Sequence, residues 1–214
     1  MGDITATREQ IAEAKPTGLR MSYEQFLDWL EDGVHAEWID GEVVMMAPVG
    51  RVHVRLHLFL LRLLGDFLEH RPLGELSFDP FNMKTGPTLP GRAPDILFVA
   101  KKNLRRLKAN HLRGPADLVI EIISRGTAAI DRGKKFYEYE EGGVSEYWIL
   151  DPFRKRAEFY RRDASGRFDA IPPDEQGVYR SRAIKDLWVD VRWFWRSPFP
   201  TLRSIRKLWK LEDA

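Results

Sequence analysis

The chain contains 214 residues, of which 43% are hydrophobic, and it carries a formal net charge of +2. A chain of this size and composition can bury one sizeable core, and no Ser/Gly-rich linker divides it into two domains. It contains no cysteine, which excludes disulfides, zinc–thiolate sites and thiol nucleophiles. Because the net charge is small, any attraction to nucleic acid has to come from local basic patches.

The sequence contains no apolar run long enough to cross a bilayer, and its first residues lack the apolar core of a signal peptide. We therefore expect a cytoplasmic protein that makes no membrane contact. The polar residues 1–20 predict a flexible N-terminal arm. Residues 21–200 predict a single folded domain, and residues 201–214 a basic C-terminal tail.

Three elements are predicted in the first third of the chain. Ser22 and Gln25 form a capping-box pattern that begins a short helix. Asp40 and Gly41 lie between two strand-like runs and predict a hairpin with a type I′ turn. Apolar residues then recur at helical spacing over residues 52–69, which predicts a long amphipathic helix that covers one face of a sheet.

The middle of the chain alternates breaks with strand-like runs. Residues 75–90 are interrupted by prolines, which indicates an edge strand followed by a loop. The sequence APDILFV then places Asp95 at the start of a strand, directly after Pro94. The basic run KKNLRRLK, residues 101–108, comes next; it forms a solvated face or contacts phosphates, and the sequence leaves both interpretations open.

The most informative stretch is DLVIEIIS, an apolar run of strand character with one carboxylate, Glu121, in its middle. Strand alternation places Glu121 on one side and its neighbours Ile120 and Ile122 on the other, where they should face a packed helix. A lone buried carboxylate is costly or becomes protonated, so Glu121 requires a cation or a metal ion as a partner. Asp95 lies in a similar apolar setting, which strengthens this interpretation.

A helix is predicted to begin near Thr127 and to stop at Gly142. On it Asp131 and Lys135 lie four residues apart, and an exposed ion pair is the simplest interpretation of the two. The strand-like runs YWILD and AEFYRRD follow, and they should pair across a turn. Strands followed by a crossover helix and a further strand predict an α/β (α+β) fold, with a mixed sheet flanked by helices on both faces.

The C-terminal part of the domain is rich in aromatic residues, including Trp188, Phe194 and Trp195. They close the core or form a contact between subunits. Core packing is the better interpretation, because buried aromatic side chains dominate domain cores. A subunit contact would make the protein a homodimer.

Five motifs occur in a fixed order: AEWIDG, APDILFV, LVIEIIS, DRGKK and YWILDP. Together they resemble the large family of restriction endonucleases of unassigned function, whose members carry a PD-(D/E)xK nuclease core. The resemblance covers about residues 20–200. It implies a restriction-endonuclease-like nuclease domain over residues 21–200, and a metal-dependent endonuclease that hydrolyses DNA phosphodiester bonds.

Hydrolysis of a phosphodiester needs hard cations held by carboxylate oxygens, and Mg²⁺ (or Mn²⁺) suits this role. Asp95 and Glu121 are the natural ligands because they lie on strands that can be neighbours. Glu121 would thereby gain the positive partner that its burial requires. By the resemblance, the backbone carbonyl of Ile122 is a further ligand, and Glu37, the acidic residue before the hairpin, contacts a metal-bound water. No organic cofactor is expected.

The usual motif carries its lysine two residues after the glutamate, where this chain has Ile123. The resemblance assigns the catalytic lysine to Lys135 on the following helix, where it would orient the attacking water or neutralise charge on phosphorus. Asp131, on the same helix face, and His53, at the start of the long helix, are candidates for accessory roles.

Two functions remain open on the sequence. The first is a metal-dependent endonuclease with DNA as its partner. The second is a catalytically inactive protein of nuclease fold that binds nucleic acid or a protein partner. The two carboxylates with a lysine in reach favour the first function, whereas the displaced lysine and the small net charge favour the second.

Overall fold

The computed structural model describes residues 15–30, 34–124 and 126–211. The strands within these residues are β1 (Lys15–Arg20), β2 (Ala36–Ile39), β3 (Glu42–Met45), β4 (Gly74–Phe78), β5 (Asn82–Lys84), β6 (Gly91–Arg92), β7 (Ile96–Ala100), β8 (His111–Arg113), β9 (Leu118–Ile122), β10 (Glu146–Asp151), β11 (Arg156–Arg162), β12 (Phe168–Ala170), β13 (Val178–Arg180) and β14 (Trp188–Asp190). The α-helices are α1 (Tyr23–Trp29), α2 (Arg51–His70), α3 (Ala128–Arg132), α4 (Lys134–Gly142) and α5 (Leu202–Trp209), and two 3-10 helices span Lys101–Arg106 and Val191–Trp195.

The capping box at Ser22 and the turn at Asp40 and Gly41 form as the sequence predicts. Ser22 caps α1, since its side chain accepts from the Gln25 backbone N–H and the Gln25 side chain accepts from the Ser22 N–H in return. Asp40 and Gly41 have φ angles of 51° and 84°, and two positive φ angles in succession are the mark of a type I′ turn. The predicted hairpin of β2 and β3 is therefore confirmed.

The central sheet has the strand order β12-β11-β10-β9-β7-β4. Strands β9 and β10 are parallel, and α3 and α4 form the connection between them. The other neighbouring pairs are antiparallel, so the sheet is mixed, and β4 forms its edge as predicted from the prolines around it. The runs YWILD and AEFYRRD lie in β10 and β11, which pair antiparallel as expected.

The protein has a second large sheet, with the order β1-β3-β2-β6-β5-β8, where the sequence predicts a single mixed sheet. The reason lies at the end of β4, where the chain turns at Asp79 and Pro80 and enters β5. Strand β5 then pairs with β6 and β8 instead of extending the central sheet. Strands β13 and β14 form a separate two-stranded sheet.

Helices cover both faces of the central sheet, as predicted. On one face, Ile120 and Ile122 of β9 pack in a cluster with α2 and α5. On the other face, Val119 packs with Tyr139 of α4 and with side chains of the second sheet. Glu121 lies on this second side of β9, so the predicted alternation along the strand is confirmed.

The predicted N-terminal arm and C-terminal tail need correction over the residues that the structure describes. Residues 15–20 form β1, which pairs with β3, and the Thr17 hydroxyl donates to the Val43 carbonyl at 2.8 Å. Residues 202–209 form α5, whose Ile205 and Trp209 are buried because apolar side chains recur at helical spacing. Residues 1–14 and 212–214 lie outside the described part of the chain.

The aromatic C-terminal segment packs into the core. Trp193 and Phe194 are buried, and Trp188 and Trp195 are half-buried against the same cluster. This confirms core packing as the better interpretation and removes the observation that suggested a homodimer. Among the helices that the structure describes, none has the length and apolar character needed to cross a membrane.

Candidate active site

A cavity of about 620 Å³ is lined by residues of both large sheets and of α2, α3 and α4. The structure brings every site residue predicted from the sequence to this cavity: Glu37, His53, Asp95, Glu121, Ile122, Asp131 and Lys135. Residue Ile123, where the usual motif has its lysine, packs instead in the apolar cluster between the central sheet and α4.

Glu121 is the centre of the site and is 3% exposed. Its Oε1 atom accepts from the Lys135 ammonium at 2.9 Å and from the Tyr139 hydroxyl at 2.7 Å. Both donors lie on α4, one helical turn apart, so a single helix face reaches back over β9. The displaced lysine of the sequence motif is therefore in direct contact with the strand carboxylate.

Asp95 directly precedes β7 and is held by neighbours on two other elements, β9 and α2. Its Oδ2 atom accepts from the Ile122 backbone N–H at 2.6 Å and is hydrogen-bonded to His53 Nε2 at 3.2 Å, and the same ring nitrogen lies 3.1 Å from Oδ1. The register of β7 and β9 pairs Ile96 with Ile120, so Asp95 and Glu121 are the next residues along the two strands. The two carboxylates thus face the same cavity from adjacent strands.

Glu37 is tied to a buried arginine that the sequence argument missed. Arg92 of β6 donates to Glu37 Oε2 at 2.8 Å, and the Ala93 N–H donates to Oε1 at 3.2 Å. Arg92 also donates two hydrogen bonds of 2.7 Å to Glu138 on α4. Through Glu138, Arg92 joins the second sheet to α4, the helix that carries Lys135. The Lys135 ammonium itself lies 3.7 Å from Glu37 Oε1.

Asp131 completes the group around the lysine. It is 1% exposed, and its Oδ1 atom lies 3.5 Å from the Lys135 ammonium. The two residues therefore form a buried pair, and the simple interpretation of an exposed ion pair is wrong. The break between α3 and α4 at Gly133 lies between them, yet both side chains reach the cavity.

The buried charges do not balance. The ion-pair network of the site joins five carboxylates to Arg92, Lys135 and the ring of His53, whereas the further cations that line the cavity, among them Arg51 and Lys134, are exposed; the acids are Glu37, Asp95, Glu121, Asp131 and Glu138. An excess of buried negative charge is costly unless a proton or a cation compensates it. A proton or a cation on one of these carboxylates would reduce that cost.

The pKa values of the pair at the centre reflect this excess. Burial raises the pKa of the Glu121 carboxyl well above its usual range; Asp131 and Asp95 add to the effect, and Lys135 opposes it. Burial alone would lower the pKa of Lys135, but the surrounding carboxylates, Glu121 foremost, raise it well above its usual value. The lysine therefore keeps its charge.

The pKa of the Asp95 carboxyl is shifted in the opposite direction to that of Glu121. Burial alone would raise the pKa of its carboxyl, but His53 and the Ile122 N–H hold it below the usual value. Asp95 consequently remains an anion near neutral pH.

The donor set fits a hard divalent cation that keeps several waters. Among the described residues, no three His, Cys, Asp or Glu side chains form a ready cage for a metal. Two carboxylates and a backbone carbonyl remain, and Mg²⁺ is commonly held by one or two carboxylates while it retains water. Glu121 Oε2, which accepts no hydrogen bond from the described residues, is open for this role.

The basic run that follows β7 lies away from this site. It forms the 3-10 helix Lys101–Arg106 at the end of β7 opposite to Asp95. Its interpretation as a solvated face is therefore favoured over a contact with a phosphate in the cavity.

The mixed central sheet, the acids of β7 and β9 and the lysine of the crossover helix define a protein of restriction-endonuclease-like fold. The crystal structure of a "putative nuclease belonging to DUF820" from Anabaena variabilis ATCC 29413 is similar, with a TM-score of 0.65 and 18% sequence identity. The match covers 80% of this chain and 96% of that chain. No curated protein matches the chain significantly.

The family model Uma2, described as "Putative restriction endonuclease", matches residues 23–192. The chain therefore belongs to the Uma2 family. The predicted family resemblance is confirmed, and so is the restriction-endonuclease-like fold class.

Proposed function

We propose that this chain is a metal-dependent endonuclease that hydrolyses DNA phosphodiester bonds. The observation that carries the proposal is the contact of 2.9 Å between Lys135 and Glu121, in a cavity that Asp95 also lines. The family is described as "Putative restriction endonuclease" and the similar crystal structure as that of a "putative nuclease", which agrees with this function.

Asp95, Glu121 and the carbonyl of Ile122 are the residues that would hold Mg²⁺ or Mn²⁺. When bound, such an ion polarises the phosphodiester and lowers the pKa of a bound water. Glu37 would contribute through its hold on Arg92 and Lys135, since both of its oxygens already face donors.

The protein's own residues would then act by charge and position. Lys135, fully charged beside Glu121, can orient the attacking water or neutralise negative charge that develops on phosphorus. His53 holds Asp95 in place through Nε2 and is thereby a positioning residue. Asp131 keeps the lysine ammonium directed into the cluster.

The alternative of a catalytically inactive binding protein loses its main support. It was suggested by the displaced lysine, and Lys135 occupies the position beside the glutamate from the neighbouring helix. A protein that only binds polyanions gains nothing from several buried carboxylates where phosphates have to approach.

Nicking of supercoiled DNA tests the proposed function. We expect cleavage by the wild-type chain with Mg²⁺ or Mn²⁺ and none with EDTA. Glu121→Gln and Asp95→Asn should each reduce the rate by at least about a hundredfold, the scale of lost electrostatic stabilisation. Glu75→Gln, an exposed acid on the edge strand β4, is the matched control and should keep the wild-type rate. Cleavage by Glu121→Gln at the rate of the control would refute the proposal.

A further inference from the structure

A second cavity, of about 140 Å³, lies beside the candidate active site. We call it the basic groove and define it by six of its lining residues: Arg55, Pro152, Lys155, Trp195, Arg196 and Phe199. It lies where α2, the turn after β10 and the segment after the second 3-10 helix come together.

The basic groove differs from the active-site cavity in charge. Arg55, Lys155 and Arg196 are exposed, and of the described residues that line the groove none carries a carboxylate. The active-site cavity next to it is rich in carboxylates. Since the net charge of the chain is only +2, a patch of this kind is what can attract a polyanion.

Aromatic rings accompany the three cations. The Arg55 guanidinium lies 5.5 Å from the ring centroid of Phe199, which itself stacks on the buried Phe59 with centroids 4.5 Å apart. Trp195 is half-buried in the wall of the groove. Cations that alternate with fixed aromatic rings suit a nucleic-acid strand, which offers phosphates and base faces together.

The two cavities are adjacent at two points of the fold. Val52, in the first turn of α2, lines both of them. The turn between β10 and β11 also borders both, since Phe153 lines the active-site cavity and Lys155 the groove. A strand with one phosphate beside Glu121 could therefore continue into the groove.

We propose that the basic groove binds the sugar-phosphate backbone of the DNA strand that flanks the scissile bond. The proposal rests on the proposed nuclease function for its choice of ligand, but the binding itself requires no catalysis. It is thus testable without metal and without cleavage.

The first test measures binding of a short fluorescent DNA duplex in EDTA over a range of salt concentrations. Each phosphate contact contributes about 0.9 to the slope of log K against log salt concentration. The combined variant Arg55→Gln, Lys155→Gln and Arg196→Gln should therefore lower the slope by about 2 to 3 and the affinity by about tenfold or more.

The matched control removes the same charge from the 3-10 helix Lys101–Arg106, which lies at the far end of β7. Its substitutions are Lys101→Gln, Lys102→Gln and Arg105→Gln, all at exposed positions. This variant should bind nearly as well as the wild-type chain. Equal losses in the two combined variants would overturn the groove as a site, because binding would then follow total charge alone.

A second test locates the strand without removing several charges. Because the chain has no cysteine, Lys155→Cys introduces a single thiol in the groove, which can carry a photo-crosslinker. It should capture bound DNA, whereas the same label at Lys101→Cys should not. Capture only from residue 101, or no DNA binding by the wild-type chain, would overturn the groove. A wild-type chain that binds DNA through the groove without cleaving it would contradict only the proposed function.

Discussion

At the scale of single residues, Glu121 is held through one of its two oxygens. Lys135 and Tyr139 both donate to Oε1, while Oε2 accepts no hydrogen bond from the described residues. Two donors on one oxygen fix the orientation of the carboxylate, so the other oxygen remains directed to the cavity that Glu121 lines. Tyr139 is therefore a positioning residue for the proposed metal ligand.

Removal of this hydroxyl tests the role of Tyr139. Tyr139→Phe should reduce kcat by about tenfold, the equivalent of one hydrogen bond to a charged group, and raise the Mg²⁺ concentration needed for half-maximal rate. Tyr179→Phe is the matched control, since this buried tyrosine donates to another glutamate, Glu146, at 3.1 Å. Both variants should lose similar stability; if both also lose the same activity, the positioning role is wrong.

Asp151, at the end of β10, provides a prediction about stability and pH. Burial alone would raise the pKa of its carboxyl, but the Arg154 N–H and the guanidinium of Arg132 hold it below the usual value. A lowered folded-state pKa means that the stabilisation is present above the unfolded-state pKa, about 3.9, and is lost as the pH falls through the folded-state value. Asp151 thus helps to hold α3, which carries Arg132, against the central sheet at neutral pH.

We therefore expect Asp151→Asn to lower the free energy of unfolding by about 1–2 kcal/mol at pH 7. The difference from the wild-type chain should shrink below about pH 4, because the wild-type carboxylate then becomes protonated. Urea unfolding at pH 7 and pH 3 measures this, with the exposed Asp169→Asn as a control. A difference that stays constant over this pH range would show that the charge of Asp151 is not the cause.

The sequence predicts the contacts of single residues where these depend on neighbours that are close in sequence. A carboxylate in an apolar strand predicts a positively charged partner, and Glu121 has this partner in Lys135. Tyr139 could have been found, because it follows Lys135 by four residues on one helix face. Arg92 could not, since it meets Glu37 across 55 positions of sequence and only the pairing of the strands brings them together.

At the scale of elements, the predicted helix over residues 127–142 is two helices, α3 and α4, with a break at Gly133. Gly133 has φ −114° and ψ −97°, outside the helical region, and a Cβ atom there would lie 2.6 Å from the backbone oxygen of Ala129, so this conformation requires glycine. The break lies between Asp131 and Lys135, so it sets how the lysine reaches Glu121. Capping and turn signals predicted the other element ends well, because those depend on neighbouring residues alone.

Substitution at this break tests its importance. Gly133→Ala should destabilise the fold by about 1–3 kcal/mol and lower the cleavage rate, because α4 must shift to relieve the contact. Gly65→Ala is the matched control within α2, where a Cβ atom meets nothing within 4 Å. It should raise the stability by about 0.5–1 kcal/mol without a change in rate. A Gly133→Ala variant as active and stable as Gly65→Ala would show that the break between α3 and α4 does not require glycine.

At the scale of the whole molecule, the sequence predicts helices on both faces of a mixed sheet but not the second sheet. The second sheet depends on β5 pairing antiparallel with β6 and parallel with β8, a choice that no local pattern encodes. It matters for function because β2 and β6 supply Glu37 and Arg92 to the site. The homodimer stays a prediction, and the sedimentation coefficient of the concentrated protein would test it.

We propose that Asp95 and Glu121, on neighbouring strands, hold one cation beside Lys135. Anomalous diffraction from crystals of the protein soaked in Mn²⁺ tests it most directly. We expect a peak in contact with both carboxylates and with the Ile122 carbonyl, and this peak should disappear in Glu121→Gln. A Mn²⁺ peak elsewhere in an active crystal form, or none at these carboxylates at saturating Mn²⁺, would contradict it.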